Sequence, residues 1–269
     1  MKKRILIIVL ALLVIGGLVV LLSAKKISKV AHKSTSLSAR AVLAQARTLE
    51  AQGNLPEARL LYQKLVNDFP ESQEVTDWQK KTENINIKLL FSPVVTPKSI
   101  TYQIRPGDTL NKIAATHKTT TELIMKSNNI SDSLIIPGRK IKVWNAPFNI
   151  LVDKSQNILL LKSNEEIVKT YIVSTGKNNC TPVGTFKIVN KLPNPTWFKA
   201  GAVVPAQSPE NVLGTRWMGF DLAGYGIHGT TEPKELGKQV TQGCVRLSNT
   251  DVEELYSIVP VGTEVNVIE

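Results

Sequence analysis

The stretch GIHGTTEPKELGKQVTQGCVRLSN, residues 226–249, decides how the C-terminal half of this chain is read. It holds His228, the only histidine after Phe148, and Cys244, one of the two cysteines in the whole chain. Sixteen positions separate them, and glycines stand beside both: Gly226 and Gly229 around the histidine, Gly243 before the cysteine. Glycine lets a backbone approach a ligand closely or take positive φ. A free thiol is only a few per cent thiolate at neutral pH, so a nucleophilic cysteine needs a base. An imidazole in reach takes that proton and later returns it to a leaving amine. Spacing alone leaves a second reading open, a packed inert thiol with an unrelated histidine.

Outward from this stretch, residues 148–268 read as mainly β. FNILVD (148–153) and NILLLK (157–162) flank a hairpin turn, and EIVKTYIVSTG (166–176) alternates. GTFKIVN (184–190) and TEVNVIE (263–269) are further strands. Turn residues dominate between 193 and 229. One helix is expected near the end, capped by Thr250 with Glu253 closing a capping box. Such a domain suggests a sandwich or barrel.

IHGT (227–230) and TQGCVRL (241–247), with STGKNNCTPVGTFKI (174–188) upstream, resemble the YkuD-type L,D-transpeptidase catalytic domain over 148–268. The resemblance implies Cys244 as nucleophile and His228 as general base and acid. It implies the Gly229 carbonyl as the group orienting the imidazole, and Arg246 as shaping the substrate site. Thr241 and Gly243 stand in the same substrate-binding or orienting segment. The family usually carries Ser-His-Gly-Cys or Ser-Arg-Gly-Cys, where this chain has Thr241-Gln242-Gly243-Cys244. The threonine keeps the hydroxyl; Gln242 substitutes a neutral amide. Cys180 departs from the pattern as well, and is expected to be a packed or loop thiol; a disulfide to Cys244 would silence the enzyme.

The implied reaction is attack of Cys244 on the third residue of a peptidoglycan stem tetrapeptide, loss of the terminal D-Ala, and a thioester. A neighbouring stem amine then takes the acyl group, giving a 3-3 cross-link. Backbone N–H groups around Gly243-Cys244 are candidates for the oxyanion site. The alternatives are an L,D-carboxypeptidase or wall-protein attachment at the same site, or a non-catalytic peptidoglycan-binding anchor. No metal and no cofactor are implied: there is no HExxH, no clustered Cys/His, and no Gly-x-Ser-x-Gly or Ser-x-x-Lys motif.

Residues 100–144 (ITYQIRPGDTLNKIAATHKTTTELIMKSNNISDSLIIPGRKIKVW) read strand–helix–helix–strand. Asp108 or Thr109 caps the first helix, and Thr120 or Thr121 the second. Three motifs carry a resemblance to the LysM domain. They are Tyr102-x-Ile104-x-x-Gly107-Asp108-Thr109-Leu110, Asn128-Asn129, and Ile135-x-Pro137-Gly138-x-x-Ile141-x-Val143. It implies binding of N-acetylglucosamine-containing glycan strands beside the two turns, at Gly107, Asp108, Thr109, Ile136 and Pro137. The competing reading is a spacer that kept the fold and lost affinity. His117 is expected to be a solvated surface histidine.

Residues 34–90 carry apolar positions at helical spacing, broken at Gly53-Asn54. The segment LAQARTLEAQGNLPEARLLYQKLVNDFPES (43–72) resembles a single tetratricopeptide-type hairpin. It reads either as a helical stalk or as a small module for a protein partner, since solenoids need about three repeats. FSPVVTPKS (91–99) reads as a linker.

The net charge of +11 is uneven. Seven basic residues and no acid lie within residues 1–33, leaving about +4 on the rest. The excess flanks Ile5–Leu22, 18 residues without a charge, which span roughly 27 Å as a helix. This predicts an uncleaved N-terminal transmembrane helix, with Lys2-Lys3-Arg4 cytoplasmic and the catalytic domain extracytoplasmic. The alternative is a cleaved signal segment; the candidate site ending at Ala24 has Leu22 where a small residue is wanted. A nucleic-acid partner is excluded, because the basic residues do not spread over a folded face with aromatics between them.

Overall fold

The computed structural model describes residues 38–199 and 201–269. The helix expected over 5–22 lies outside the described residues. Among the described residues, no helix is long and apolar enough to cross a membrane. The chain divides into two compact units with the boundary between Thr82 and Glu83.

The first unit, described over 38–82, is helical. Helix α1 covers 38–51, α2 is Leu55–Asp68, and α3 (Val75–Leu90) begins here. Gly53, at φ +76°, makes the turn between α1 and α2, and Pro56 sits in the first turn of α2, where no N–H is required. Leu43, Ala46, Ala58, Tyr62, Leu65 and Trp78 are buried. The Tyr62 hydroxyl donates to Glu50 across α1 and α2 at 2.8 Å, and Lys81 pairs with the same carboxylate at 3.1 Å. The region is thus a packed hairpin closed by a third helix and not an extended stalk.

The second unit, 83–269, contains two substructures. In the smaller, β1 (Ser99–Gln103) pairs antiparallel with β2 (Lys140–Trp144) around α4 (Leu110–Thr116) and α5 (Thr121–Ser127). Thr109 caps α4 and Thr120 caps α5, each accepting the N–H three residues on. Ile104, Leu110, Ile113, Ala114, Ile124, Ile141 and Val143 fill its core. Asn128 staples it: Oδ1 accepts the Lys142 N–H at 2.7 Å, while Nδ2 donates to the Ile124 and Lys142 carbonyls at 2.8 Å each.

The larger substructure is built on an eight-stranded sheet. Its strands are β3 (Phe148–Asp153), β4 (Ile158–Ser163), β5 (Glu166–Ile172), β7 (Gly184–Pro193), β10 (Arg216–Phe220), β11 (Gly226–His228), β13 (Val245–Arg246) and β14 (Glu264–Ile268). Their order is β13-β11-β10-β7-β14-β3-β4-β5. Three smaller pairings complete it. The short β6 (Thr175–Gly176) runs parallel to β12 (Gln239–Thr241), and β8 (Trp197–Lys199) forms a hairpin with β9 (Ala202–Val204). The big sheet curls until its ends meet: the Ser174 and Arg246 backbones exchange hydrogen bonds at 2.8 and 2.9 Å. The architecture is therefore one curled sheet, closer to the barrel expectation than to two stacked sheets. Helix α6 (Asn249–Ile258) fills the curl with Val252, Leu255 and Ile258. Its cap is Ser248, not Thr250; the Ser248 hydroxyl bonds both the N–H and the carboxylate of Asp251. Glu253 therefore does not close a capping box. The helix begins at Asn249, so Thr250 lies inside its first turn and cannot act as the cap.

The two substructures share one core. Leu123 of α5, Trp144 of β2, and Ile87 and Leu90 of α3 belong to the same buried cluster as the sheet residues. Trp144 stacks on Phe148 with centroids 5.4 Å apart. The Thr120 hydroxyl donates to the Ser257 carbonyl, and the Lys126 ammonium to the Ser257 hydroxyl at 2.7 Å. The 91–99 segment is pinned at both ends. The buried Lys142 amine donates to the Leu89 carbonyl at 2.6 Å and to that of Ser92 at 2.9 Å, while Lys98 donates to the Ser163 carbonyl at 2.8 Å. A freely swinging linker is not what these contacts describe.

Burial pushes the Lys142 amine down to about 8, and that of Lys191 likewise. The unfolded chain, with lysines near the ordinary 10.5, binds more protons than the folded one between these values. Stability should therefore rise from pH 8 towards 10, and Lys142→Met should flatten that slope. Urea midpoints taken across the window measure it; a flat or falling profile for the wild-type chain contradicts the assignment.

Candidate active site

Strands β11 and β13 run parallel, with Ile227 opposite Val245 and His228 opposite Arg246. Paired residues on neighbouring strands share a face, as do residues two apart along one strand. His228, Arg246 and Cys244, which immediately precedes β13, are thereby directed to the same side. All three line one cleft of about 680 Å³ with Trp197, Trp217 and Tyr225.

The histidine is held from several directions. Its Nδ1 lies 2.7 Å from the Gly229 carbonyl oxygen. A carbonyl only accepts, so the proton is on Nδ1 and Nε2 carries the free lone pair. The Trp217 indole stacks on the ring with centroids 6.0 Å apart, and its Nε1–H is fixed by Asn190 at 3.0 Å. The imidazole is 3% exposed. Burial pushes its pKa down to about 4; backbone hydrogen bonding at Gly229 and Leu213 opposes the fall, and the Arg246 charge adds to it.

The cysteine sits on a rigid turn. The Thr241 hydroxyl donates to the Cys244 carbonyl at 2.7 Å and accepts the Gly243 N–H at 3.1 Å. Gly243 is at φ +123°, and a methyl there would press to 2.6 Å from the Tyr225 ring. Only glycine passes this point. Because the Gly243 N–H is already bonded, it is not an open oxyanion donor, which corrects the expectation placed on that group. The Cys244 Sγ lies 3.5 Å from the Gly224 carbonyl. Burial pushes the thiol up; backbone hydrogen bonding at Gly226 and the Arg246 charge pull it down. A thiol pushed up beside an imidazole pushed down rests as a neutral pair, not as a preformed ion pair.

Arg246 is 8% exposed, and its Nη1 pairs with Glu232 at 3.1 Å. Its Nε is buried with no protein acceptor among the described residues. Cys180 and Cys244 are both free thiols. Cys180 is exposed at the end of the short turn over Lys177–Asn179, with its Sγ 4.0 Å from the Thr241 carbonyl. It is thus a loop thiol and not a packed one. Among the described residues no cluster of His, Cys, Asp and Glu could hold a metal ion.

The expected glycan residues gather at two neighbouring turns. The Gly138 N–H donates to the Ile104 carbonyl at 2.8 Å, bringing the Pro137 turn beside the Gly107 turn, where Gly107 has φ +81°. Ile136 and Leu134 are exposed there. Asp108 is occupied within the fold, accepting the Arg105 N–H and the Tyr102 hydroxyl at 2.8 Å each; these bonds hold its carboxyl below the usual range. The Thr109 hydroxyl is likewise the α4 cap. The side chains at this site are therefore turn-builders at 108 and 109 and an open apolar surface at 134 and 136. His117 is half-buried at the end of α4, 3.0 Å from Asn145 Oδ1 and edge-on to Tyr102, and is less solvated than expected.

Comparison with known proteins now decides the family. A model of the YkuD L,D-transpeptidase catalytic domain matches residues 147–267, and a LysM model matches residues 102–144. YkuD of Bacillus licheniformis is 37% identical over 175 residues, which is 62% of this chain and 97% of that protein. The chain belongs to the YkuD L,D-transpeptidase family. YkuD of Bacillus subtilis is 36% identical over 176 residues, 62% of this chain and 98% of that protein. Among solved structures, an L,D-transpeptidase from Mycobacterium smegmatis aligns at TM-score 0.39 and 22% identity, covering 50% of this chain and 65% of that one.

In this L,D-transpeptidase the sequence motifs point to Cys244, His228, Gly229, Thr241, Gly243 and Arg246; Cys244, His228, Thr241 and Arg246 line the cleft, while Gly229 orients the histidine and Gly243 shapes the cysteine turn. Trp217, Tyr225 and Trp197 were not singled out. They arrive from β10, the turn before β11 and the β8–β9 hairpin, where isolated aromatics carry no local signature.

With its ring this dry, His228 should titrate near 4, well below the ordinary 6.5. A ring-proton NMR titration checks this: a midpoint at or above 6 would mean the imidazole is wetter than described. Since the unfolded chain binds the proton more tightly, this group also removes stability as pH falls from about 6.5 to 4.

Proposed function

We propose that the chain cross-links peptidoglycan stem peptides through a thioester on Cys244, with His228 as the proton carrier. The observation that carries this is the His228 ring, fixed through Nδ1 to the Gly229 carbonyl beside the cysteine turn in one shared cleft. The neutral pair sets the order of events. As Sγ attacks the carbonyl carbon of the third stem residue, Nε2 takes the thiol proton. The C–S bond forms, and the carbonyl oxygen becomes an oxyanion. With Gly243 occupied by Thr241, the Cys244 N–H is the candidate donor on this loop; such a donor contributes about 10²–10³ in rate. The C–N bond to the terminal D-Ala then breaks as His228 returns the proton to the departing amine. An amine of a neighbouring stem next attacks the thioester, His228 accepts its proton, and the thiolate leaves and is reprotonated.

The buried Nε–H of Arg246 is a donor for an oxygen of the donor stem, because a buried guanidinium N–H without an acceptor is costly unless substrate supplies one. The apolar walls of the cleft exclude water, which favours an amine over hydrolysis at the thioester. The LysM substructure would hold glycan at its paired turns. Its shared core with the catalytic sheet would then present stem peptides in a fixed relation to the cleft. The apolar segment at 5–22, by its composition alone, would anchor the chain with the enzyme outside the cytoplasm, and the helical unit would serve a protein partner.

Two measurements test this reading. A carbapenem should add its mass to the wild-type chain and to Cys180→Ala, and fail to add to Cys244→Ala. Disaccharide tetrapeptides should yield a 3-3 dimer with release of D-Ala. Tripeptide alone would turn the assignment to carboxypeptidase. Turnover by Cys244→Ala would end the thioester mechanism.

A further inference from the structure

Asn249, the first residue of α6, faces the peptide that orients the histidine. Its Oδ1 accepts the Thr230 N–H at 3.1 Å and the Thr215 N–H at 3.2 Å. The Thr230 N–H and the Gly229 carbonyl belong to the same planar peptide group. The other end of that group accepts the His228 Nδ1–H at 2.7 Å. A hydrogen-bonded line therefore runs from Asn249 Oδ1 through one peptide plane to the imidazole. Bonds in such a line polarise one another, so accepting the N–H makes the carbonyl a better acceptor. Fixing both edges of the plane also prevents its rotation, which would turn the carbonyl away from the ring.

The backbone around Asn249 is built to admit its carbonyl. A methyl group on either Gly214 or Gly229 would overlap Asn249 Oδ1. Gly214, at φ +64°, is itself suited to glycine. The amide stands on a helix whose start is locked by the Ser248 hydroxyl, which accepts the Asp251 N–H at 3.0 Å. Placement on a rigid, capped element is what precise support of a catalytic ring requires.

We propose that Asn249 is the positioning residue for His228, acting through the Gly229–Thr230 peptide to hold the ring with its proton on Nδ1 and Nε2 open. It takes the place a carboxylate fills in other nucleophile–histidine arrangements, with a peptide plane interposed. The inference rests on His228 being the proton carrier of the proposed thioester chemistry.

The test compares Asn249→Ala with Asn249→Asp in the full chain. The aspartate keeps an oxygen for both backbone N–H groups; the alanine keeps none. Two readouts are taken: the rate of carbapenem acylation, and the ring-nitrogen NMR shifts of His228, assignable because the chain has three histidines. The wild-type and aspartate proteins should show a single tautomer protonated on Nδ1. The alanine protein should show a mixture of tautomers, with acylation slowed roughly 10–100-fold, the range known for losing the outer hydrogen-bond partner of a metal-ligating histidine. A single Nδ1–H tautomer and wild-type acylation in Asn249→Ala would overturn the inference. So would equal slowing in both variants with the tautomer unchanged, which is the mark of a merely structural role. Should the alanine protein fail to fold, the aspartate decides alone: tautomer and rate retained support the inference, and their loss overturns it. Absence of any acylation in the wild-type chain would instead sink the thioester reading itself.

Discussion

Everything at the cleft depends on one short parallel pairing, in which β11 lies against β13 with His228 beside Arg246. Parallel pairing needs a crossover, and the chain supplies it with the segment from Gly229 to Cys244, which carries β12, so residues sixteen apart in sequence come to one face. Two-residue β13 could not hold this register alone. It is clamped on its other side by Ser174, where the curled sheet closes on itself, and the Leu247 N–H bonds the His228 carbonyl at 2.9 Å. The catalytic geometry is thus a property of sheet closure, not of the loop that carries the cysteine.

The electrostatics follow from the same closure. Burial within the cleft disfavours charge on both groups, raising the thiol and lowering the imidazole, so neither is ionised at rest. A neutral thiol is slow to oxidise and to react with passing electrophiles. Arg246 is the one Lys or Arg among the described residues lining the cleft, and it pairs with Glu232. The Arg246 charge lowers the cost of ionising the Cys244 thiol.

The flanking glycines at 229 and 243 marked the reactive pair locally, but spacing alone left an inert thiol open, and it was the resemblance of IHGT and TQGCVRL to the family motif that assigned the pair and Thr241. Helix caps were partly legible. Thr109 and Thr120 were among the candidates, whereas Ser248 was passed over for Thr250 because both precede the apolar run and only the backbone trajectory separates them. What could not be read is long-range. No periodicity foretells that Ser174 meets Arg246, or that Leu123 of the LysM fold enters the catalytic core. Pro93 and Pro97 mark 91–99 as a linker, yet a lysine fifty residues downstream ties it down. The aromatic walls escaped for the same reason, since single tryptophans declare themselves only when the sheet brings them together.

The shared core gives the LysM substructure a second role as a wall of the enzyme's scaffold, not a bead on a string. The account stands or falls, however, on the two reactive side chains meeting in the cleft. The most direct measurement is the cross-strand nuclear Overhauser contact between the His228 ring protons and the Cys244 β-protons in the full-length chain. Because both side chains line one cleft, the account predicts an observable contact between them, accompanied by one between the His228 and Trp217 rings. A His228–Trp217 contact with none to Cys244 would contradict the account.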